Sequence, residues 1–219
     1  MPAGPFQNRI GGRVLPRTFT VVDDPTMTEW EGAPLLGAYT YDDEGVPAAR
    51  VSLVEGGILR TLLTSRVPQR KLPVSNGHGR GRPARPAIGN LILDATGGLS
   101  DADLKARLLE EVKLRSLPYG IVIRRMTAGG VAGAPTEIFR VFPDGREERV
   151  RGVQVQDLNP QAFKDILATS TKRHVVNFTL GGDASGGASV ITPSLLFEDA
   201  TLKKRQGPFP KLPIVERPR

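Results

Sequence analysis

The sequence predicts an α+β domain, a mostly antiparallel β-sheet or barrel carrying two helices. Short β-rich runs follow one another along the 219 residues, most of them joined by hairpin-type turns. Two stretches have helical spacing behind a capping residue, and they do not alternate with strands as a parallel βαβ fold requires. The 25 Gly and 19 Pro supply the turns and long loops that such a chain needs.

Taken in order, residues 1–17 are rich in Gly and Pro and read as an extended arm. Thr18–Val22 is a strand ended by Asp23-Asp24-Pro25, since Asp before Pro favours a turn. Two adjacent carboxylates can hold a cation, but turn capping is the reading preferred here. Trp30 sits in a Gly/Pro-rich loop as a packing anchor, and Gly37–Tyr41 reads as a further strand.

The stretch from Tyr41 to Arg85 organises the rest. Its first half is a hairpin, with a strand through Val51 and Leu53, a Glu-Gly-Gly turn, and a return strand from Ile58 to Thr64. Gly56 and Gly57 can take the positive φ that a tight turn requires. From Arg66 to Arg85 the composition changes to Pro, Gly, Asn, one His and six Lys or Arg, with no acid before Asp94. A stiff hairpin delivering a cationic loop presents a site.

Asn90–Asp94 is a strand, and Ser100-Asp-Ala-Asp103 opens a helix as a capping-box variant with acids in its first turn. Leu104, Leu108 and Val112 form its apolar stripe, and Pro118 ends it. Tyr119–Met126 is a strand, and Ile138–Phe142 and Glu148–Val153 flank a Pro-Asp-Gly-Arg turn. A second, short helix is expected from Asn159 and Pro160, with Phe163, Ile166 and Leu167 as its buried stripe. Val175–Leu180 and Ala188–Phe197 are strands around the glycine-rich loop Gly181–Gly187. One domain is therefore expected over residues 18–202, followed by a basic Pro-rich tail at 203–219.

The 39% apolar content suits a soluble globular chain. No window approaches the roughly 20 apolar residues that span a bilayer, and no apolar signal region opens the chain, so a cytoplasmic location with no membrane partner is expected. The absence of Cys excludes disulfides, thiolate metal sites and Cys nucleophiles. Two His, at 78 and 174, do not make a His-rich metal site. The net charge of +7 concentrates in Arg66–Arg85 and the tail, without the recognition helix or aromatic array that reads nucleic acid.

Gly181–Gly187 is not a phosphate-binding loop, because no Gly-Lys-Ser/Thr follows, and no Gly-x-Ser-x-Gly elbow occurs. His78 lies between glycines, which favours an exposed ring and close approach of a ligand. The guanidinium groups of Arg66, Arg80 and Arg82 favour a carboxylate or phosphate there. Arg66, Ser75, His78, Arg80 and Arg82 are therefore the candidate peptide- or anion-binding residues; no catalytic or metal-ligating residue is assigned. The opposing readings are a mobile surface loop and a hydrolase that uses His78 with Ser75 or an Asp.

An ordered series of motifs resembles the C-terminal domain of the TldD/PmbA family, once called modulators of DNA gyrase and now regarded as zinc metallopeptidases and their partner subunits. These are VVDDPT, YDDEGVP with an arginine after it, LVEGGILRTLLTSR, the Ser-x-Gly-His-Gly-Arg-Gly loop, Asn90-Leu91, LSDADLKARLLEEVK, LPYGIVIRR and TPSLLFEDATLKK. In the catalytic branch a preceding His-Glu-x-x-x-His helix and a cysteine near the C-terminal strand hold the zinc. This chain has no His-Glu pair, and around Gly186–Ser189, where the cysteine would fall, it reads Gly-Gly-Ala-Ser. The resemblance thus implies a peptide-binding and assembly domain without its own zinc, inactive alone, with zinc in a preceding domain or a sister subunit. Its implied partners are that metallopeptidase domain or subunit, a peptide or unfolded protein, and a second chain in a homo- or heterodimer. The alternative is a basic nucleic-acid- or gyrase-associated module.

Overall fold

The computed structural model describes residues 6, 8–68, 72–126, 135–155, 160–181 and 186–204. In chain order the strands are β1 Phe19–Asp23, β2 Glu29–Trp30, β3 Ala33–Pro34, β4 Val51–Glu55, β5 Ile58–Leu59, β6 Gly79–Arg80, β7 Arg85–Pro86 and β8 Asn90–Ala95. The helix α1, Asp101–Leu114, follows, then β9 Gly120–Met126, β10 Pro135–Val141, β11 Glu147–Val150, β12 Val153–Val155, β13 Ile166–Thr179, β14 Gly187–Phe197 and β15 Leu202–Lys204.

Six strands form the main sheet in the order β13-β14-β8-β1-β4-β5. Every neighbouring pair is antiparallel except β14 and β8, which run parallel with Ser189 opposite Asn90 and Ile191 opposite Ile92. The sheet is open, with β13 at one edge and β5 at the other, so the barrel alternative does not hold. A three-stranded antiparallel sheet, β11-β10-β9, lies on the helix side of the molecule.

Apolar residues of one face of the main sheet pack against the chain that leads into it. Val14, Leu15, Phe19, Val21, Val54, Leu59 and Ile166 form the buried cluster, with Phe163 and Phe197 edge-on at 5.7 Å beside it. The N-terminal arm is tied in by backbone bonds from Gly11 to Leu59, Leu59 to Gly12 and Val14 to Gly57. Gly56 and Gly57 take φ of 55° and 76°, the hairpin geometry expected of the Glu-Gly-Gly turn. The return strand, however, is Ile58–Leu59 alone; Arg60 N still donates to Leu53 O at 2.8 Å, and the chain leaves the ladder from Thr61.

The first predicted helix is present as α1. Ser100 Oγ accepts from Asp103 N at 3.1 Å and donates to Asp103 Oδ2 at 2.6 Å. Val112 is buried against the body, and Gly120 packs where Leu108 and Val112 leave no room for a side chain. Lys105 and Arg124 both reach Glu147, joining helix to small sheet; the hydrogen bond from Lys105 holds that carboxyl below its ordinary range. Replacing Ser100 by alanine is expected to lower stability by about 1 kcal/mol, read by urea denaturation, because one first-turn amide loses its acceptor.

The second helix is not formed. Residues 160–165 are successive turns, with Lys164 N bonded to Gln161 O and Asp165 N to Ala162 O; Asn159 lies outside the described residues. Ile166 and Leu167 already belong to β13, whose pairing with β14 overrides the short helical pattern. Gly37–Tyr41 is likewise not a strand: Tyr41 makes an isolated bridge to Pro47, and the segment before it is used to cover the sheet. Among the described residues, no helix is long and apolar enough to cross a membrane.

Candidate functional site

The polar centre lies where β1 ends and β8 begins. Asp23, the last residue of β1, is fully buried and accepts from Gly89 N at 3.1 and 3.2 Å. Its Oδ1 is 3.3 Å from Nε2 of His78, which is itself 0% exposed. His78 Nδ1 is 2.9 Å from the Asn76 carbonyl, an acceptor, so Nδ1 carries a proton. Nε2 has no aligned hydrogen-bond partner. The ring and the Asp23 carboxylate therefore lie in close approach without the alignment of a hydrogen bond. Asp24 is the turn cap predicted from Asp-Asp-Pro: its Oδ1 accepts from Thr26 N at 3.1 Å and Thr26 Oγ1 at 2.6 Å.

The basic loop is docked on an acidic turn rather than displayed. Asp42 Oδ2 accepts from Gly79 N at 2.9 Å, Asp43 Oδ2 from Gly81 N at 2.5 Å, and Glu44 Oε2 from Arg66 N at 2.6 Å. Carboxylates accepting backbone amides make charge-assisted bonds, stronger than neutral ones. They bring three acids against the loop from a segment more than twenty residues upstream. The expectation of an exposed His78 is overturned by this docking, and the neighbouring acids offset part of the charge on which the nucleic-acid alternative drew.

Of the five candidate residues, the structure brings two together. His78 and Arg80 both pack on Tyr39, with ring centroids 6.5 Å apart for the first and the guanidinium 4.5 Å over the ring for the second. Arg80 is buried and lies against the Gly186 backbone. Burial, with the charge of Asp23, pushes the Tyr39 phenol well above its ordinary range against the opposing pull of Arg80, so it stays a donor, to Gly77 O at 2.8 Å. Ser75 is half-buried and turned away: its Oγ lies 3.5 Å from the Thr64 carbonyl and accepts from Gly77 N. Arg66 and Arg82 are exposed. The His78 nitrogens face Asn76 and Asp23, not Ser75, so the Ser75–His78 hydrolase is not assembled.

A second polar knot stitches the loop before Tyr39 to the sheet. Ser189 Oγ accepts from Leu36 N at 2.9 Å and Gly37 N at 3.1 Å, and donates to Asn177 Oδ1 at 2.7 Å. Asn90, fully buried, donates through Nδ2 to Asp24 O at 3.0 Å and Met27 O at 2.7 Å. Sequence reasoning missed Asp23, Asn90, Asn177 and Ser189 as a group. The signal that was available is the acid run at 42–44 facing an acid-free basic loop.

The outer edge of β13 is the open feature of this region. Ser189 N donates to Gly89 O, toward β8, so the Asn177–Ser189 pair opposite it does not share ladder hydrogen bonds. By alternation, the N–H and C=O groups of Arg173, Val175, Asn177 and Thr179 point away from β14. No described residue hydrogen-bonds to that edge; further down, Leu99 covers it through its bridge to Ser170.

The family's zinc does not fit the residues described. They gather no group of three or more His, Cys, Asp or Glu able to hold a metal. The nearest approach is the pair Asp23 and His78, short of the three or four ligands zinc takes. No chemical step is derived through it.

The fold and site define a β-rich α+β domain whose buried polar groups hold loops onto an open sheet. The chain belongs to the family described as the PmbA/TldA metallopeptidase C-terminal domain, whose model matches residues 3–204. A metalloprotease of Methanocaldococcus jannaschii is 41% identical over 76 residues, covering 34% of this chain and 16% of that protein. A metalloprotease of Methanothermobacter thermautotrophicus is 31% identical over 129 residues, covering 58% of this chain and 25% of the relative. Among solved structures, TldE from Thermococcus kodakarensis matches 90% of this chain and 42% of its own, with a TM-score of 0.62 and 17% identity. A protein from Thermotoga maritima described as a modulator of a DNA gyrase matches 91% and 42%, with a TM-score of 0.59 and 20% identity. At those identities the structures establish the fold alone. The chain spans a quarter or less of these two relatives, and about two fifths of the solved chains.

Proposed function

We propose that this chain is the C-terminal peptide-holding and assembly domain of a metallopeptidase system, and that it takes an extended segment along the outer edge of β13. The observation that carries this reading is the row of outward backbone groups at Arg173, Val175, Asn177 and Thr179, unpaired among the described residues. An unpaired edge is a template for strand addition, in which main-chain hydrogen bonds supply affinity. Val176, 48% exposed on this strand, adds apolar surface that an occupant would cover. Membership in a metallopeptidase family supports a peptide or unfolded protein as that occupant. The zinc and the bond-breaking step belong, on this reading, to a preceding domain or a sister subunit, with which the chain assembles as a homo- or heterodimer in the cytoplasm.

Proline tests the edge selectively, because it removes a donor at an outward-pointing position without breaking the ladder to β14. Val175→Pro is expected to abolish the backbone amide shifts that an unstructured peptide induces in 15N-labelled protein, while the unfolding midpoint stays close to wild type. Peptide-induced shifts that survive Val175→Pro would remove the edge from the proposal.

A further inference from the structure

We infer, resting on the strand-addition reading, that the segment held by β13 points a bulky apolar side chain into a wall made by Trp30, Pro34 and Leu36, and sets a carboxylate beside Lys172. Arg173, Val175, Asn177 and Thr179 share one face of β13, because side chains alternate along a strand. On that face the β2–β3 hairpin and its continuation run alongside the strand. Arg173 lies 5.6 Å over the Trp30 ring at one end. At the other, Asn177 Nδ2 donates to Pro34 O at 2.8 Å and its Oδ1 accepts from Leu36 N at 3.3 Å.

These contacts fasten the wall at both ends of a short interval and leave Val175, half-buried, between them. Leu36 stands at the rim, 53% exposed. A residue paired beside Val175 in an added strand points its side chain to the same face, since cross-strand partners share a face. It therefore meets Val175, Leu36 and the Trp30 ring, beside which Arg173 and Asn177 are already engaged by Asp94 and by Pro34 O. A large aliphatic or aromatic side chain gains by burial there, and a small polar one does not.

The charge at this edge is one-sided. Lys172 is exposed, and Asp94 of β8 is taken by the neighbouring Arg173. An acidic side chain or a C-terminal carboxylate complements Lys172 at that end. The opposite face of the strand, with Val176 and Phe178, accepts apolar residues without such fixed boundaries, so selection falls on the walled side.

The test uses the full chain and fluorescein-labelled extended peptides about eight residues long, enough to span Arg173–Thr179. One carries Leu at its central position and an acidic end, a second replaces the Leu by Ser, and a third replaces the acid by Lys. Amidated and free C-termini are compared, which separates a side-chain acid from a terminal carboxylate. Leu36→Ser is expected to weaken the Leu peptide about five- to tenfold and to leave the Ser peptide unchanged. Lys172→Glu is expected to reverse the preference between acidic and Lys-ended peptides. Both side chains are exposed, so an unchanged unfolding midpoint shows that the fold is intact. If Val175→Pro abolishes binding while Leu36→Ser and Lys172→Glu leave the preferences untouched, this inference fails and the edge reading stands. If Val175→Pro leaves binding intact, both fail.

Discussion

Replacing Asp23 by alanine is expected to lower the unfolding free energy by about 2–3 kcal/mol, the loss that follows when the charged acceptor of a buried backbone amide is removed. The carboxylate is fully buried, faces His78 Nε2 at 3.3 Å and accepts from Gly89 N with both oxygens. Alanine leaves the Gly89 amide without its acceptor and opens a void beside the His78 ring, in a place water does not reach. A domain with about 5–15 kcal/mol of total stability then stands closer to its unfolding threshold. Asp24→Ala is the matched comparison, because that carboxylate caps a turn and meets Arg50 at a loose 3.9 Å; about 1 kcal/mol is expected. Urea denaturation of both variants decides the matter. Equal losses would show that the Asp23–His78 contact does not hold the loop.

Gly37→Ala is expected to be as damaging, for a steric reason. A β-carbon at this position would run into the Gly89 carbonyl and sit 2.5 Å from Asn90 Oδ1. The first is backbone leading into β8 and the second belongs to an amide held by its bonds to Asp24 O and Met27 O, so neither swings aside freely. Relief requires the 35–37 loop to lift, which breaks the bonds from Leu36 N and Gly37 N to Ser189 Oγ. Overpacking of this kind costs about 1–3 kcal/mol and more where backbone must move. A melting point lower by about 6–12 °C follows for a domain of this size at the upper end of that range. Gly181→Ala, with nothing within 4 Å of its added carbon, should stay within about 0.5 kcal/mol of wild type. A Gly37→Ala protein that melts with wild type would mean that the two backbones are not in contact.

What could be read from the sequence was what is local in it. The α1 cap is written in Ser100 and Asp103, the tight turn in Gly56-Gly57, and the β8 strand in its Leu91-Ile92-Leu93 centre. The motif series likewise placed the chain in its family. The second helix failed because the eight-residue stretch Pro160–Leu167, with its apolar stripe, does not reveal that β14 waits to pair with its end. The exposure of His78 failed for a related reason. Glycines on both sides of a ring promise freedom only if nothing distant closes over it, and here Asp42, Asp43 and Glu44 hold the flanking backbone down. Asp23 read as half of a turn signal and became the partner of His78, fifty-five positions later in the chain. Residue type told which groups are polar; pairing across the fold told which are buried.

The parallel contact between β14 and β8 bears on how the chain is made. Leaving β8 at Ala95, the polypeptide builds α1, the small sheet and β13 before Gly187 returns to close the centre of the main sheet. During synthesis β8 can zip onto β1 early, but its other side, Asn90–Ile92, keeps open hydrogen-bonding groups and apolar side chains until residues 189–191 emerge. Such late, long-range closure is slow and leaves a sticky nascent edge. A ribosome stalled or a transcript truncated before Gly187 would therefore release a species prone to aggregate, and chaperone demand should fall sharply once β14 has been translated.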